Sequence, residues 1–198
     1  KLRRHGIEKE ILCLGPVSAG RYQECLENDI SLPMFEYWRA KELSDAAVAE
    51  GKTAKIHIAV DTGMSRIGLF PDEGSVETIK EIAELPDLRI AGMFTHFARA
   101  DEADKTNAGE QYRRFHEFCD DVKAAGVAVP VCHCSNSAGI VELPDFNMDA
   151  VRAGITIYGL YPSDEVKQDI ISLKPAMALK SFITYIKEIG PGTEVSYG

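Results

Sequence analysis

The stretch Val131–Ser163, VCHCSNSAGIVELPDFNMDAVRAGITIYGLYPS, decides how this chain is read. It contains most of an apolar run, Val129 to Cys134, that ends in the small polar cluster Ser135-Asn136-Ser137. A second apolar run, Asp149 to Tyr158, is interrupted by Arg152-Ala153-Gly154. Both read as strands ending in small residues that expose backbone N–H groups, which suits a phosphate. Gly154 lets the backbone come close to a ligand, and the Ser137 hydroxyl adds a donor. In parallel β/α barrels a phosphate site often follows the last two strands. Arg152, between two apolar segments, needs an acceptor, because an unpaired buried charge is costly. A ligand or a carboxylate such as Asp149 would serve.

Outward from this stretch, strand and helix patterns alternate. Glu10–Leu14, Ile30–Phe35, Lys55–Val60, Leu88–Phe94, Val129–Cys134 and Met148–Val151 read as strands, with Ile155–Tyr158 continuing past the glycine. Helices are expected near Arg21–Glu27, over Tyr37–Glu50 with apolar positions at Leu43, Ala46, Ala47 and Val48, and over Asp72–Leu85 with Asp72 as cap. A long helix from Thr106 or Asn107 to about Ala125 places Tyr112, Phe115, Phe118, Cys119 and Val122 on one face, and Gly126 stops it. Alternation of this kind argues a parallel sheet, with about six strand units where a closed barrel has eight. Periodicity alone leaves an open doubly wound sheet and a barrel equally possible. Lys174–Ile189 differs: Met177, Leu179, Ser181, Ile183 and Tyr185 alternate as in a half-exposed antiparallel strand, and Pro191-Gly192 turns the chain. A boundary is expected between Ser163 and Pro175.

The chain has 198 residues, 45% hydrophobic, which is enough for one sizeable core or most of a larger domain. Its net charge of −9 comes with no basic face, so nucleic acid and anionic membrane are poor partners. No apolar run reaches the roughly 18 residues of a membrane span, and no signal peptide is visible. Five cysteines without disulfide-like spacing read as reduced, which points to the cytoplasm. On a strand, Cys132 and Cys134 point to one side and His133 to the other, so no metal is expected there.

The motifs HCSNSAG (133–139) and DAVRAGITIYGLYPS (149–163) resemble alanine racemases, the fold-type III pyridoxal phosphate enzymes. The likeness continues in HIAVDTGMSRIG (57–68), THFARADE (95–102) and PGTEVSYG (191–198), in family order over essentially the whole chain. The resemblance decides for a TIM-type (β/α)8 barrel, incomplete here. It implies that residues 1–173 form a partial barrel whose first two strands precede Lys1, and that 174–198 enter a β-rich second domain. It also implies pyridoxal 5'-phosphate as cofactor, alanine as substrate and a homodimer in the intact protein, serving cell-wall synthesis.

By the same resemblance, Arg152 donates to the pyridine nitrogen of the cofactor, and His96 stacks on its ring. Ser137, Gly154 and Ile155 match the phosphate contacts, Asn136 and Leu14 line the cofactor, and Arg66 reaches the phenolic oxygen and the substrate carboxylate. A bidentate Arg suits a carboxylate; the rival reading pairs Arg66 with Asp61 or Asp72. His57 and His116 lack such context and read as structural. Two features depart from the family pattern. Ala59 stands where members often carry a carboxylated lysine that positions the Arg. The Schiff-base lysine and the second-base tyrosine match nothing in this chain; Lys52, Lys55, Lys80 and Lys105 lack the context. Alternatives are a serine or broad-specificity racemase, a non-catalytic pyridoxal-phosphate-binding protein, or an inert truncated product.

Overall fold

The computed structural model describes residues 1–197; Gly198, the last residue of the PGTEVSYG motif, lies outside the described residues. Five strands and five α-helices alternate: β1 (Ile11–Leu12), α1 (Tyr22–Glu27), β2 (Ile30–Met34), α2 (Tyr37–Glu50), β3 (Ala54–Ala59), α3 (Glu73–Ala83), β4 (Leu88–Phe94), α4 (Thr106–Ala124), β5 (Cys132–His133) and α5 (Ser137–Glu142). All pairings are parallel, and the spatial order β1-β2-β3-β4-β5 is the order in sequence. A doubly wound sheet reverses its strand order at a switch point. This sheet never reverses, which is the order a β/α barrel requires.

The core lies between sheet and helices. Ile56 and Ile58 of β3 and Met93 of β4 are fully buried, as are Leu43 of α2, Ile79 and Ile82 of α3, and Phe115 and Val122 of α4. The α2 stripe runs through Ala40, Leu43, Ser44 and Ala47, one face at the 3.6-residue period, whereas the expected Val48 faces solvent at 49% exposure. Ser44 can be buried because its hydroxyl donates to the Pro86 carbonyl at 2.6 Å. The α3 cap is Asp72, whose Oδ1 accepts from the Ser75 amide at 2.8 Å.

Three strand expectations are corrected. The described residues form five strands rather than six, because Met148–Val151 makes only one bridge, between Ala150 and His133. Ile155–Tyr158 forms a 3-10 turn, since Gly154 turns the backbone before a ladder can form. No strand forms within Lys174–Ile189, where Leu179, Phe182 and Ile183 are almost wholly exposed. Alternation records which faces a strand would present, but a strand exists only with a ladder partner. None pairs with this segment among the described residues. The N-terminal Glu10–Leu14 run pairs on one side only and is half-buried at most, as befits an edge.

Candidate active site

The C-terminal ends of β3, β4 and β5 open on a cleft of about 380 Å3, whose lining includes Leu14, Met64, His96, Asn136, Ser137, Arg152, Gly154 and Ile155. A groove of about 410 Å3 lies at the opposite end of β4, near Leu88 and Gly126. Barrel sites form at the C-terminal ends of strands, which favours the first cleft.

Arg152 forms the floor. Its amide donates to the Ser135 carbonyl at 3.0 Å, which hangs the residue beside the end of β5. Nη1 donates to His133 Nδ1 at 2.6 Å and to the His133 carbonyl at 3.2 Å. Nη2 donates to the carbonyls of Thr95 at 2.6 Å and Cys134 at 2.9 Å, and lies 3.4 Å from His96 Nδ1. The guanidinium also sits over the Phe94 ring, 5.4 Å from its centre. Among the described residues no carboxylate pairs with it; Asp149 instead accepts from the Cys132 amide at 2.8 Å. Burial lowers the Arg152 pKa to about 10, so it remains a cation at neutral pH. Its Nε is buried and has no hydrogen-bond partner among the described residues. A buried donor of this kind calls for an acceptor from outside the chain.

A guanidinium only donates, so His133 Nδ1 accepts, and the neutral ring carries its proton on Nε2. That nitrogen lies 3.0 Å from His57 Nδ1. Burial, then the Arg152 charge, then His57 push the His133 pKa down to about 3. Burial, then Arg152, then Arg66 push His96 down to about 4. Both imidazoles are therefore neutral at physiological pH, and the fixed positive charge of the cleft is that of its arginines.

The other wall is a small-residue cradle. Asn136 caps α5, its Oδ1 accepting from the Gly139 amide at 3.1 Å while its Nδ2 donates to the Phe97 carbonyl at 3.3 Å. The cap leaves Ser137 at the helix start, where its Oγ accepts from the amides of Gly154 at 2.9 Å and Thr156 at 3.4 Å. A hydroxyl and converging backbone amides are the donor set an oxyanion uses.

The 61–69 loop after β3 folds back on its own strand. The Leu69 amide donates to Ala59 at 2.9 Å, and Asp61 donates to Leu69 at 2.8 Å. Asp61 Oδ1 accepts from the amides of Gly63 and Ser65, both at 3.0 Å, which closes the turn. Gly68 sits at φ 128°, and a Cβ there would meet the Asp61 nitrogen at 2.5 Å, so only glycine fits. The loop carries Met64 into the cleft and leaves Arg66 exposed at its edge, without an ion pair among the described residues. The rival pairing of Arg66 with Asp61 or Asp72 does not form among the described residues; each Asp instead accepts backbone amides through its Oδ1.

The structure thus brings Leu14, His96, Asn136, Ser137, Arg152, Gly154 and Ile155 to one cleft and sets Arg66 at its rim. Sequence reasoning missed the layer behind Arg152. His57 reads there as structural and His133 as a strand residue, without the contact between them. Gln111 was missed as well; it lies within the apolar stripe of α4 and is 1% exposed.

Sequential parallel strands, with a cleft at their C-terminal mouth built on a buried arginine, define part of a β/α barrel. The chain belongs to the alanine racemase family: residues 1–162 match the family described as "Alanine racemase, N-terminal domain". Alanine racemases of Methanococcus maripaludis and Clostridium novyi are 43% and 45% identical to it over 198 residues, covering 100% of this chain and 53% and 51% of theirs. The solved alanine racemase of Clostridium difficile 630 superimposes with a TM-score of 0.92 at 41% identity, over 100% of this chain and 52% of that one. The same enzyme in complex with cycloserine gives 0.90 at 40% identity, over 94% of this chain and 51% of that one. The chain spans about half the length of the curated relatives it matches. Among the described residues, no helix is long and apolar enough to cross a membrane.

Proposed function

We propose that this chain is the cofactor-binding part of an alanine racemase that interconverts L- and D-alanine with pyridoxal 5'-phosphate. The observation that carries the reading is Arg152 Nε, a buried donor without a partner among the described residues, in the cleft that also holds Ser137 and Gly154. A heterocyclic nitrogen would satisfy Nε, and a phosphate would take over the Gly154 and Thr156 amides that otherwise donate to Ser137 Oγ. Residues 1–173 form the barrel part and 174–198 the entry to a second domain. The intact protein is a cytoplasmic homodimer supplying D-alanine for the cell wall.

When bound, pyridoxal phosphate acidifies the α-C–H of an amino acid by delocalising the electrons left behind. The residues here set how that chemistry proceeds. Arg152 would hold the ring nitrogen as a donor that does not yield its proton, which would limit the electron withdrawal the group supplies. Neutral His96 offers a flat face beside the ring without adding charge. Ser137 and the Gly154 and Ile155 amides hold the phosphate, and Arg66 at the rim orients the substrate carboxylate. Removal and return of the α proton on opposite faces need two bases. We assign these to a lysine and a tyrosine in parts of the protein outside this chain.

Ala59 favours a second reading. It is 1% exposed at the end of β3, seven residues before Arg66, and its methyl group cannot orient a guanidinium. Looser control of Arg66 would suit a serine or broad-specificity racemase.

The test is pyridoxal phosphate titration into the full-length protein, read by visible absorbance, with racemisation of alanine and serine measured side by side. Cofactor binding with a strong preference for alanine is expected. Failure to bind cofactor would overturn the assignment, and equal or faster turnover of serine would replace it with the second reading.

A further inference from the structure

We infer that Gln111 of α4 is a positioning residue of this site, clamping the loop that carries His96 to the loop that carries Arg66. The inference rests on the racemase reading for what the loops do, and on geometry for the clamp.

Beyond Phe94 the chain leaves the ladder, so the backbone groups of residues 96–98 need other partners. The Gln111 side chain supplies them. Nε2 donates to the His96 carbonyl at 3.1 Å, and Oε1 accepts from the Ala98 amide at 2.8 Å. One amide therefore fixes the backbone on both sides of Phe97, whose own ring is buried at 1% exposure. The second Nε2 donor reaches across to Thr62 Oγ1 at 3.2 Å, in the loop after β3. Thr62 Oγ1 is in turn 2.8 Å from Thr95 Oγ1, and the Thr95 carbonyl accepts from Arg152. Gly63 lies against the same amide: a Cβ on it would come 3.6 Å from Gln111 Cγ.

Core packing alone does not account for this. Burying a primary amide is unfavourable unless its groups are bonded, and an apolar residue of similar length would fill the stripe better. Gln111 engages both donors and one acceptor position, all on the two functional loops and none on its own helix. No single residue type but Gln offers two donors and an acceptor at that reach.

The experiment compares wild-type, Gln111→Met and Gln111→Glu holoenzyme in alanine racemisation, and the same proteins without cofactor by NMR titration of His96, which faces Arg152 and Arg66. Met keeps the volume and removes every bond. Glu keeps the acceptor and removes both donors, regaining one only when protonated. We expect each variant to raise KM for alanine and weaken cofactor binding about tenfold or more at pH 8, with Glu partly recovering at lower pH and Met not. In the cofactor-free proteins, the loosened loop should admit water and raise the His96 pKa toward its ordinary value. Should Gln111→Met not fold, Thr62→Val removes one arm of the clamp and should show a smaller shift of the same sign. Wild-type KM in a folded variant, or an unchanged His96 titration, overturns the clamp. A wild-type protein that binds no cofactor overturns the racemase reading instead, and the His96 titration then still decides whether the clamp exists.

Discussion

His57 Nδ1 and His133 Nε2 lie 3.0 Å apart although their strands, β3 and β5, are not neighbours. The two rings meet across β4 at Gly92, the residue in register with His57. A register shift between Ile56 and His57 brings Gly92 rather than Ala91 opposite His57. The missing side chain is the space the ring occupies: a Cβ on Gly92 would stand 2.6 Å from His57 Nδ1 and 2.6 Å from the Val131 carbonyl. Because His133 then contacts Arg152, the gap at Gly92 indirectly sets where the guanidinium sits.

Gly92→Ala is therefore expected to destabilise the fold by about 1–3 kcal/mol, the range for overpacking a close-fitting interior. Ring displacement can relieve only half the conflict, since the Val131 carbonyl is backbone. Urea unfolding of Gly92→Ala and of Gly92→Ala with His57→Ala checks this. The double variant should recover part of the loss but not all of it.

Arg152 should matter to stability as well as to ligand binding. It satisfies the carbonyls of Thr95, His133 and Cys134 at the ends of β4 and β5. An unsatisfied buried polar group costs roughly 1–3 kcal/mol. Arg152→Leu is expected to lower unfolding free energy by about 2 kcal/mol or more without any ligand, and Arg152→Lys to restore only a fraction. Equal stability of wild type and Arg152→Leu in urea would show that water replaces the guanidinium at those carbonyls.

Much of this was readable from sequence. The strands β2, β3 and β4 lie within two residues of their expected bounds, because their apolar runs are long and flanked by clear breaks. The SNSAG and DAVRAG segments lead to the same cleft because both follow runs on the sheet. What could not be read depends on pairing at a distance. The Ala150 region needed a neighbour to become a strand, and it has only one bridge. Gln111 sits at a stripe position where the helical period predicts an apolar residue, so pattern gave its burial but not its partners. His57 and His133 are separated by 76 residues and meet only because β4 lacks a side chain at Gly92.

Stability should fall with acidity well above the range of ordinary carboxylates. His133 and His96 titrate at about 3 and about 4 in the fold, and burial also lowers His57. Unfolded, each returns toward 6.5, so the unfolded chain binds more protons between those values. The contribution is complete above about pH 6.5 and is lost as pH falls through about 4 for His96 and about 3 for His133, at up to about 1.4 kcal/mol per pH unit for each of these two. Urea midpoints at pH 7, 6 and 5 should decline with increasing steepness, and His133→Gln should reduce the slope by about one proton. A flat profile from pH 7 to 5 would mean that these rings are solvated.

The segment after Pro175 should govern aggregation rather than folding. Met177, Leu179, Phe182, Ile183, Tyr185 and Ile186 are each at least three-quarters exposed. Its attachment is at its start, where the Ala176 amide donates to the Tyr158 carbonyl at 2.9 Å and Lys174 packs on Gly159. An exposed segment with alternating apolar side chains and unpaired backbone is a template for strand addition. Removing residues 178–198 keeps the attachment and deletes the exposed apolar side chains. The shortened chain is expected to unfold at the same urea concentration as the 198-residue chain, within about 0.5 kcal/mol, the usual range for changes at the surface. It should also bind less of a hydrophobic dye and scatter less light at the same concentration. If shortening instead lowered the urea midpoint clearly, the segment would be part of the folded unit.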